Sequence, residues 1–445
     1  MKNGFRQLLH LEPQKGWLND PNGLCRFKGE YHVYFQYSPD SAFGKGDKCW
    51  GHWCGDLLRM RFTGTVLRPD TPYDRDGVYS GCGFVKGDTL YLFYTGNVME
   101  EGDHDYTTSG RGANVILVTT NDGCHMSEKK VLLTNSDYPE WCSCHVRDPK
   151  VWEENGKYRM VLGARTLDDR GCVLFYESDD LENWRFSGNN SVTGFGYMWE
   201  CPDVFTLGRY KYLSVSPQGL PHEEYRFQNV YSSGNFIYDG TAFEDFEEWD
   251  YGFDFYAPQT FEAPDGRRIL IGWMGIGDIP YKNPTAELGW QHCLTIPRTL
   301  SGGDNGKILQ NPIKEFEQLR TEKKDFSSGD IVTAELPSEL YSAAGGDFAL
   351  LYGFLTMRYS DGIFTLEFTD ETVGGGRTKR CVKLSRCGDI RIIADTSSLE
   401  IYLNGGEKVL STRFYPYDTV ITIRAEGISG TVYTLNKTGV RKDPG

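Results

Sequence analysis

Three acidic residues stand out for the residues around them. Asp20 lies in WLNDPNG (Trp17 to Gly23), Asp148 in HVRDPKVW (His145 to Trp152) and Glu200 in WECPD (Trp199 to Asp203). Pro21 and Gly23 force a tight turn after Asp20, and a rigid backbone of that kind would hold a nucleophile in place. Trp199 and Cys201 flank Glu200 with surroundings of low polarity, which favour the protonated form that a general acid needs. Arg147 precedes Asp148, an arrangement suited to a permanently ionised carboxylate that accepts hydrogen bonds from substrate hydroxyls. Retaining hydrolysis of a glycosidic bond asks for such a pair of carboxyl groups, about 5 to 5.5 Å apart, one to attack and one to protonate. Taken singly, each acid reads as a turn former or a surface residue. What joins them must be the fold.

A loosely repeated unit supplies that fold. A polar cluster, a few apolar residues, a turn and an aromatic-rich strand recur in Asn19 to Tyr37, Asp76 to Gly96, Arg147 to Ala164, Glu200 to Ser216 and Asp254 to Trp273. Each copy reads as a β-hairpin, with Lys28-Gly29, Lys86-Gly87, Asn155-Gly156 and Asp265-Gly266 at turn positions. Hairpins repeated every ~50 to 65 residues match the period of propeller blades rather than of helical solenoids. Five copies imply five blades. The first strand of a blade lines the central channel, so the polar clusters that open the copies should converge on one axial cavity. Asp20, Asp148 and Glu200 then become neighbours.

Composition agrees with an all-β chain. The aromatic share is 14% and there are 52 glycines in 445 residues, a mixture expected of many strands joined by tight turns. The formal net charge of -15 excludes a protein that tracks nucleic-acid phosphates, although a local basic pocket stays open. No run approaches a membrane span, and the N-terminal residues contain no apolar stretch of the length an export signal needs, which points to the cytoplasm. The twelve cysteines read as reduced thiols; with no C-x-x-C pair, a metal site has little support, and no cofactor is called for.

The repeats end near Pro297-Arg298, which gives a catalytic propeller over residues 1–310. A linker helix is expected over 311–325, with Asn311 as N-cap, Pro312 at its first position, and Ile313, Phe316 and Leu319 along one face. Alternating strands such as Ile363 to Phe368 and Leu399 to Leu403 predict a β-sandwich over 326–445. Trp50 and Trp273 could stack on sugar faces, whereas Trp184 and Trp249 read as core. His52 could orient a site residue or satisfy a buried hydrogen bond.

The segments WLNDPNG, HVRDPKVW, WECPD and DFYAPQTF (Asp254 to Phe261) resemble glycoside hydrolase family 32, from about residue 7 to 320, with a weaker tail in SLEIYLNGGE (Ser398 to Glu407). The resemblance implies a five-bladed propeller followed by a β-sandwich and a double displacement through a fructosyl-enzyme intermediate. By motif position it makes Asp20 the nucleophile, Asp148 the transition-state stabiliser and Glu200 the acid/base. It also places substrate contacts on Asn19, Gln36, Ser80, Arg147 and Trp273. Tyr79 stands where the family usually has Phe, and Phe43 takes the place of a Trp that often precedes the segment Trp50-Gly51-His52. Within the family the stretches DFYAPQTF, GWMG (Gly272 to Gly275) and GWQHCLTIPR (Gly289 to Arg298) most resemble the sucrose-6-phosphate branch. The expected substrates are sucrose, its 6-phosphate and short fructans; fructosyl transfer, inulin hydrolysis and non-catalytic fructan binding are the alternatives. A phosphate would need cations near the pocket mouth, for which Lys45, Lys48, Arg59 and Arg61 are candidates.

Overall fold

Alternating burial along short strands forces this chain into sheets that face one another. The structure is a computed structural model that describes residues 4–240 and 242–438. Five sheets of four or five strands, antiparallel except for one short parallel strand in the first, are built from the first part of the chain. Their inner strands are Gly16–Phe27, Val78–Lys86, Cys142–Glu154, Met198–Leu207 and Tyr256–Glu262, and each pairs with the strand that follows it. All five sequence repeats are these inner hairpins. The inner strands touch in cyclic order, the fifth against the first, so the sheets form a closed five-bladed propeller.

An apolar cluster fills each gap between blades. Trp50, Tyr34 and Leu92 pack between the first and second; Phe93, Leu117 and Met160 between the second and third. Trp199, Val161 and Phe236 join the third to the fourth, and Trp249, Phe205 and Leu270 the fourth to the fifth. Phe35, Trp53 and Ile271 close the ring. A two-strand clasp adds to that closure: Trp290–Gln291 runs parallel to Gly16 and Trp17 on the inner edge of the first blade. Two of the hairpin turns, Lys28-Gly29 and Asn155-Gly156, have positive φ at both positions, the twist that suits right-handed strands.

The chain then enters a two-sheet sandwich of six strands each, from Arg320–Phe326 onward. The expected linker helix is absent. Asn311 and Pro312 instead end the strand Ile308–Pro312, where they pair with Thr299 and Arg298. Only a short 3-10 segment, Lys314–Leu319, follows, and residues 320–325 already belong to a strand. The physical reason lies in the spacing: Ile313, Phe316 and Leu319 recur every third residue, the period of a 3-10 turn, and all three are buried.

Buried charge ties the two parts together. The Arg298 guanidinium, on the fifth blade, donates to Glu400 (2.9 Å), Asp250 (3.1 Å) and Ser411 (2.6 Å). Arg377 binds Asp254 through two bonds of 2.7 Å each. His10 lies between Asp395 (2.8 Å) and Glu400 (3.0 Å); burial would discharge it, but those two carboxylates raise it to about 9. All twelve cysteines are free thiols. No helix among the described residues is long and apolar enough to cross a membrane.

Candidate active site

Each inner strand is broken at the same level by a β-bulge, and the bulges aim the polar side chains inward. The pairing slips between Leu18 and Pro21, Val78 and Gly81, Glu200 and Asp203, and Tyr256 and Ala257 to Gln259; in the third blade it slips around Asp148-Pro149. Asp148 (φ 63), Cys201 (φ 47) and Ala257 (φ 48) sit in the left-handed region, each followed by a proline. Proline fits there because a bulged residue has no ladder bond to donate. Strain of this kind, at the same level of three neighbouring blades, is characteristic of functional sites.

The bulges open into a cavity of about 500 Å³ on the propeller axis. The first blade contributes Trp17, Asn19, Asp20 and Gln36, the second Tyr79, Ser80 and Arg111, and the third His145, Arg147 and Asp148. Glu200 and Gln218 come from the fourth blade, Tyr256 and Trp273 from the fifth. A larger cleft, of about 720 Å³, lies at the outer side of the fourth blade around Phe195 and Phe246, away from this carboxylate cluster.

Asp20 accepts from the Ser80 hydroxyl (2.5 Å) at one oxygen and from Asn19 (3.3 Å) at the other. Gln36 Oε1 accepts from both Asn19 (3.1 Å) and Ser80 (3.3 Å), which fixes the two donors. Burial pushes Asp20 up to about 6; the Ser80 bond opposes the shift and the nearby Glu200 charge adds to it. Asp148 is anchored through its own N–H to Thr95 (2.8 Å) and accepts from the Cys201 N–H (2.9 Å). Its carboxyl is also raised, first by burial, with Arg147 opposing. The Cys201 thiol stands 3.7 Å from Asp20 and 3.6 Å from Asp148, so one sulfur spans both carboxylates.

Glu200 is held at both oxygens. Oε1 accepts from Arg147 Nε (3.0 Å) and Nη2 (2.6 Å), and Oε2 from Gln218 (2.9 Å) and the Tyr256 hydroxyl (2.6 Å). This differs from the sequence reading of an acid wrapped by Trp199 and Cys201. Trp199 points away into the apolar gap between blades, and Cys201 turns toward the two aspartates, because strand residues alternate sides and the bulge rotates the next one. Arg147 accordingly serves Glu200 by direct contact and Asp148 only through its charge.

Beneath the site Lys150 fills the channel, donating to Asp203 (3.1 Å), Gln259 (3.3 Å) and the Thr260 carbonyl (2.6 Å). Among the described residues, no group of three or more His, Cys, Asp or Glu side chains is arranged to hold a metal ion.

Of the residues expected to bind substrate, Asn19, Gln36, Phe43, Tyr79, Ser80, Arg147 and Trp273 line the cavity, with Phe43 exposed at its rim. Trp50 does not. It is fully buried behind the wall, where its indole N–H donates to the Tyr79 carbonyl (3.1 Å) and braces that residue. His52 is also core, bonded to Thr63 (2.7 Å) and stacked on Tyr34. Of the cations proposed for phosphate, only Lys48 reaches the cavity. Arg59 and Arg61 follow the turn at the far end of the first blade, where Arg61 pairs with Glu30, and Lys45 lies outside the wall. Asp76 and Asp254, at the heads of two repeats, also face elsewhere: Asp76 caps Met99, and Asp254 is bound by Arg377 of the sandwich.

Sequence reading missed Gln218, Tyr256, His145 and Arg111. Gln218 closes the second strand of its blade and Arg111 opens a third strand, outside the repeated clusters. Tyr256 stood inside a quoted segment, DFYAPQTF, but only the closed ring shows that its hydroxyl reaches Glu200.

Comparison with known proteins adds an independent line. The family model described as "Glycosyl hydrolases family 32 N-terminal domain" matches residues 10–312, and "Glycosyl hydrolases family 32 C terminal" matches residues 365–438. A sucrose-6-phosphate hydrolase of Bacillus subtilis is 39% identical, over 93% of this chain and 89% of its own. A beta-fructofuranosidase structure from Bombyx mori superposes with a TM-score of 0.85 at 30% identity, covering 98% of this chain and 95% of that one. The sucrose-6-phosphate hydrolase structure from Lactobacillus gasseri gives 0.86 at 27%, covering 98% and 94%. Bulged blades that gather two aspartates and a glutamate, a sandwich locked beneath them and matching models over both parts lead to one assignment: the chain belongs to glycoside hydrolase family 32.

Proposed function

We propose that the protein is a β-fructofuranosidase that releases fructose from sucrose or sucrose 6-phosphate with retention at the anomeric carbon. Asp20 attacks C2 of the fructosyl unit. The bond from C2 to the bridging oxygen breaks as Glu200 gives that oxygen a proton, and glucose or its 6-phosphate leaves. Glu200, now a carboxylate, takes a proton from water; the hydroxide adds to C2, frees fructose and restores Asp20. Asp148, held by Cys201 and Thr95, accepts hydrogen bonds from fructosyl hydroxyls and opposes the positive charge that grows on the ring.

The observation that carries this reading is the meeting of three carboxylates from the first, third and fourth blades in one cavity. Its size suits a disaccharide rather than a polymer face. Twelve free thiols fit a reducing compartment, so we place the enzyme in the cytoplasm.

Asp20→Asn is the direct test. It keeps the size of the side chain and removes the nucleophile, so kcat on sucrose should fall about 1,000-fold or more. Activity within tenfold of the parent would reject Asp20 as the nucleophile. Oligosaccharides in place of free fructose at high sucrose would move the assignment to fructosyl transfer.

A further inference from the structure

The cavity wall carries three permanent or near-permanent cations, Lys48, Arg111 and Arg147. Arg147 is engaged by Glu200 at 2.6 Å. Lys48 is occupied by the Ser38 hydroxyl (2.9 Å) and the Gly44 carbonyl. Arg111 differs from both. Its guanidinium donates to the neutral Asn97 amide (2.7 Å), and among the described residues its Nε has no partner and no carboxylate pairs with it.

Its surroundings make that isolation costly. Burial lowers the Arg111 guanidinium below its usual range, with the Tyr79 phenol favouring its charge and the Arg147 guanidinium opposing it. The neighbouring His145 ring reports the same field. Burial first, then Arg147, Arg111 and Arg165, hold it down to about 3, and Arg147 donates to its Nδ1 at 2.8 Å. A protein of net charge -15 thus keeps an electropositive corner at one side of its substrate cavity. Half-buried cations without a counter-ion are unfavourable unless a ligand supplies one.

The corner's position says which part of the substrate would meet it. Glu200 must reach the bridging oxygen, so the leaving sugar extends past Glu200 toward the rim; Arg147 bridges Glu200 to His145, and Arg111 lines the same cavity. Sucrose 6-phosphate carries its phosphate on that leaving sugar. We propose that Arg111, with the Tyr79 hydroxyl beside it, is the specificity-determining group that binds the phosphate of sucrose 6-phosphate. This rests on the β-fructofuranosidase reading and adds to it the residue that separates a phosphorylated substrate from a neutral one. Tyr79 then has a chemical reason to be Tyr rather than Phe: its hydroxyl offers the phosphate a donor.

The test compares kcat/KM on sucrose and on sucrose 6-phosphate for the parent, Arg111→Gln and Arg111→Lys. The parent should prefer the phosphorylated sugar, and Arg111→Gln should lower the ratio of the two values by about 10- to 100-fold. Arg111→Lys, which keeps the charge without the fork, should recover part of it. Product inhibition gives a second reading on the parent itself. Glucose 6-phosphate should inhibit more strongly than glucose, and Arg111→Gln should remove that difference. A parent without preference, or an Arg111→Gln variant that loses both substrates equally, overturns the proposal and leaves the β-fructofuranosidase reading standing. A parent that releases fructose from neither sugar defeats that underlying reading instead.

Discussion

At the scale of single residues, the proposed catalysis rests on carboxyl groups kept where charge is unwelcome. Burial raises Asp20 to about 6, and in its proposed role as nucleophile it must be ionised, so kcat/KM should fall on the acid side with a midpoint near pH 6. A pH–rate profile that stays flat down to pH 4.5 would contradict that. The same shift has a stability sign. A carboxyl whose pKa is higher in the fold than in the unfolded chain stabilises the fold only while protonated, and that contribution is lost as pH rises through about 6. Asp20→Asn never ionises, so it should melt about 2 to 5 °C above the parent at pH 7 to 8, and the gap should close below pH 4. Melting curves at pH 4 and 7.5 check both halves. That Asp20, Asp148 and Glu200 meet in one cavity was legible because each stands at the head of a repeat, within two residues of a turn-forming proline. Their partners were less so. Glu200 is gripped by Gln218 across its own hairpin and by Tyr256 from the next blade, respectively 18 and 56 residues away, and hydrogen bonds that span strands and blades leave no local trace in sequence.

At the scale of elements, the bulge is the device that turns a regular hairpin into a site. Hairpins could be read from turn residues and alternating strands, and five of them were enough for five blades. The bulges could not, since a slip in register depends on the neighbouring strand. That is why Trp199 and Cys201 were expected around Glu200 and are found elsewhere, and why Trp50 sits behind the wall. The helix expected at 311–325 failed for a different reason: a capping-type Asn-Pro pair also suits the end of an edge strand. The blades are packed so closely at the bulges that a methyl group is felt. A Cβ at Gly163 would lie 2.0 Å from the Trp199 carbonyl oxygen and 3.4 Å from Glu200 Cα. Gly163→Ala should therefore push the third and fourth blades apart, cost about 1–3 kcal/mol of stability and lower kcat by about tenfold through a displaced Glu200. Urea unfolding together with steady-state kinetics would show whether the two losses come together, and an unchanged kcat would separate Gly163 from the acid/base.

At the scale of the whole molecule, the sandwich supplies none of the residues lining the cavity but holds the ring that does. Arg298 is the centre of that hold, bound to Asp250 on one side and Glu400 on the other. Arg298→Met should leave Asp250 buried without a cation and Glu400 with His10 alone, and destabilise the protein by about 3–5 kcal/mol, measured by urea unfolding. A loss below about 1 kcal/mol would mean that the two parts do not depend on this contact. The clasp between Trp290–Gln291 and the first blade carries a consequence for synthesis. Asp20 is made early, yet Trp273 and His292, which pack edge-on against each other and near Trp17, arrive about 250 residues later. A ribosome that has translated all three acids has still not made a working enzyme. Competence should therefore come late, when the last blade docks on the first.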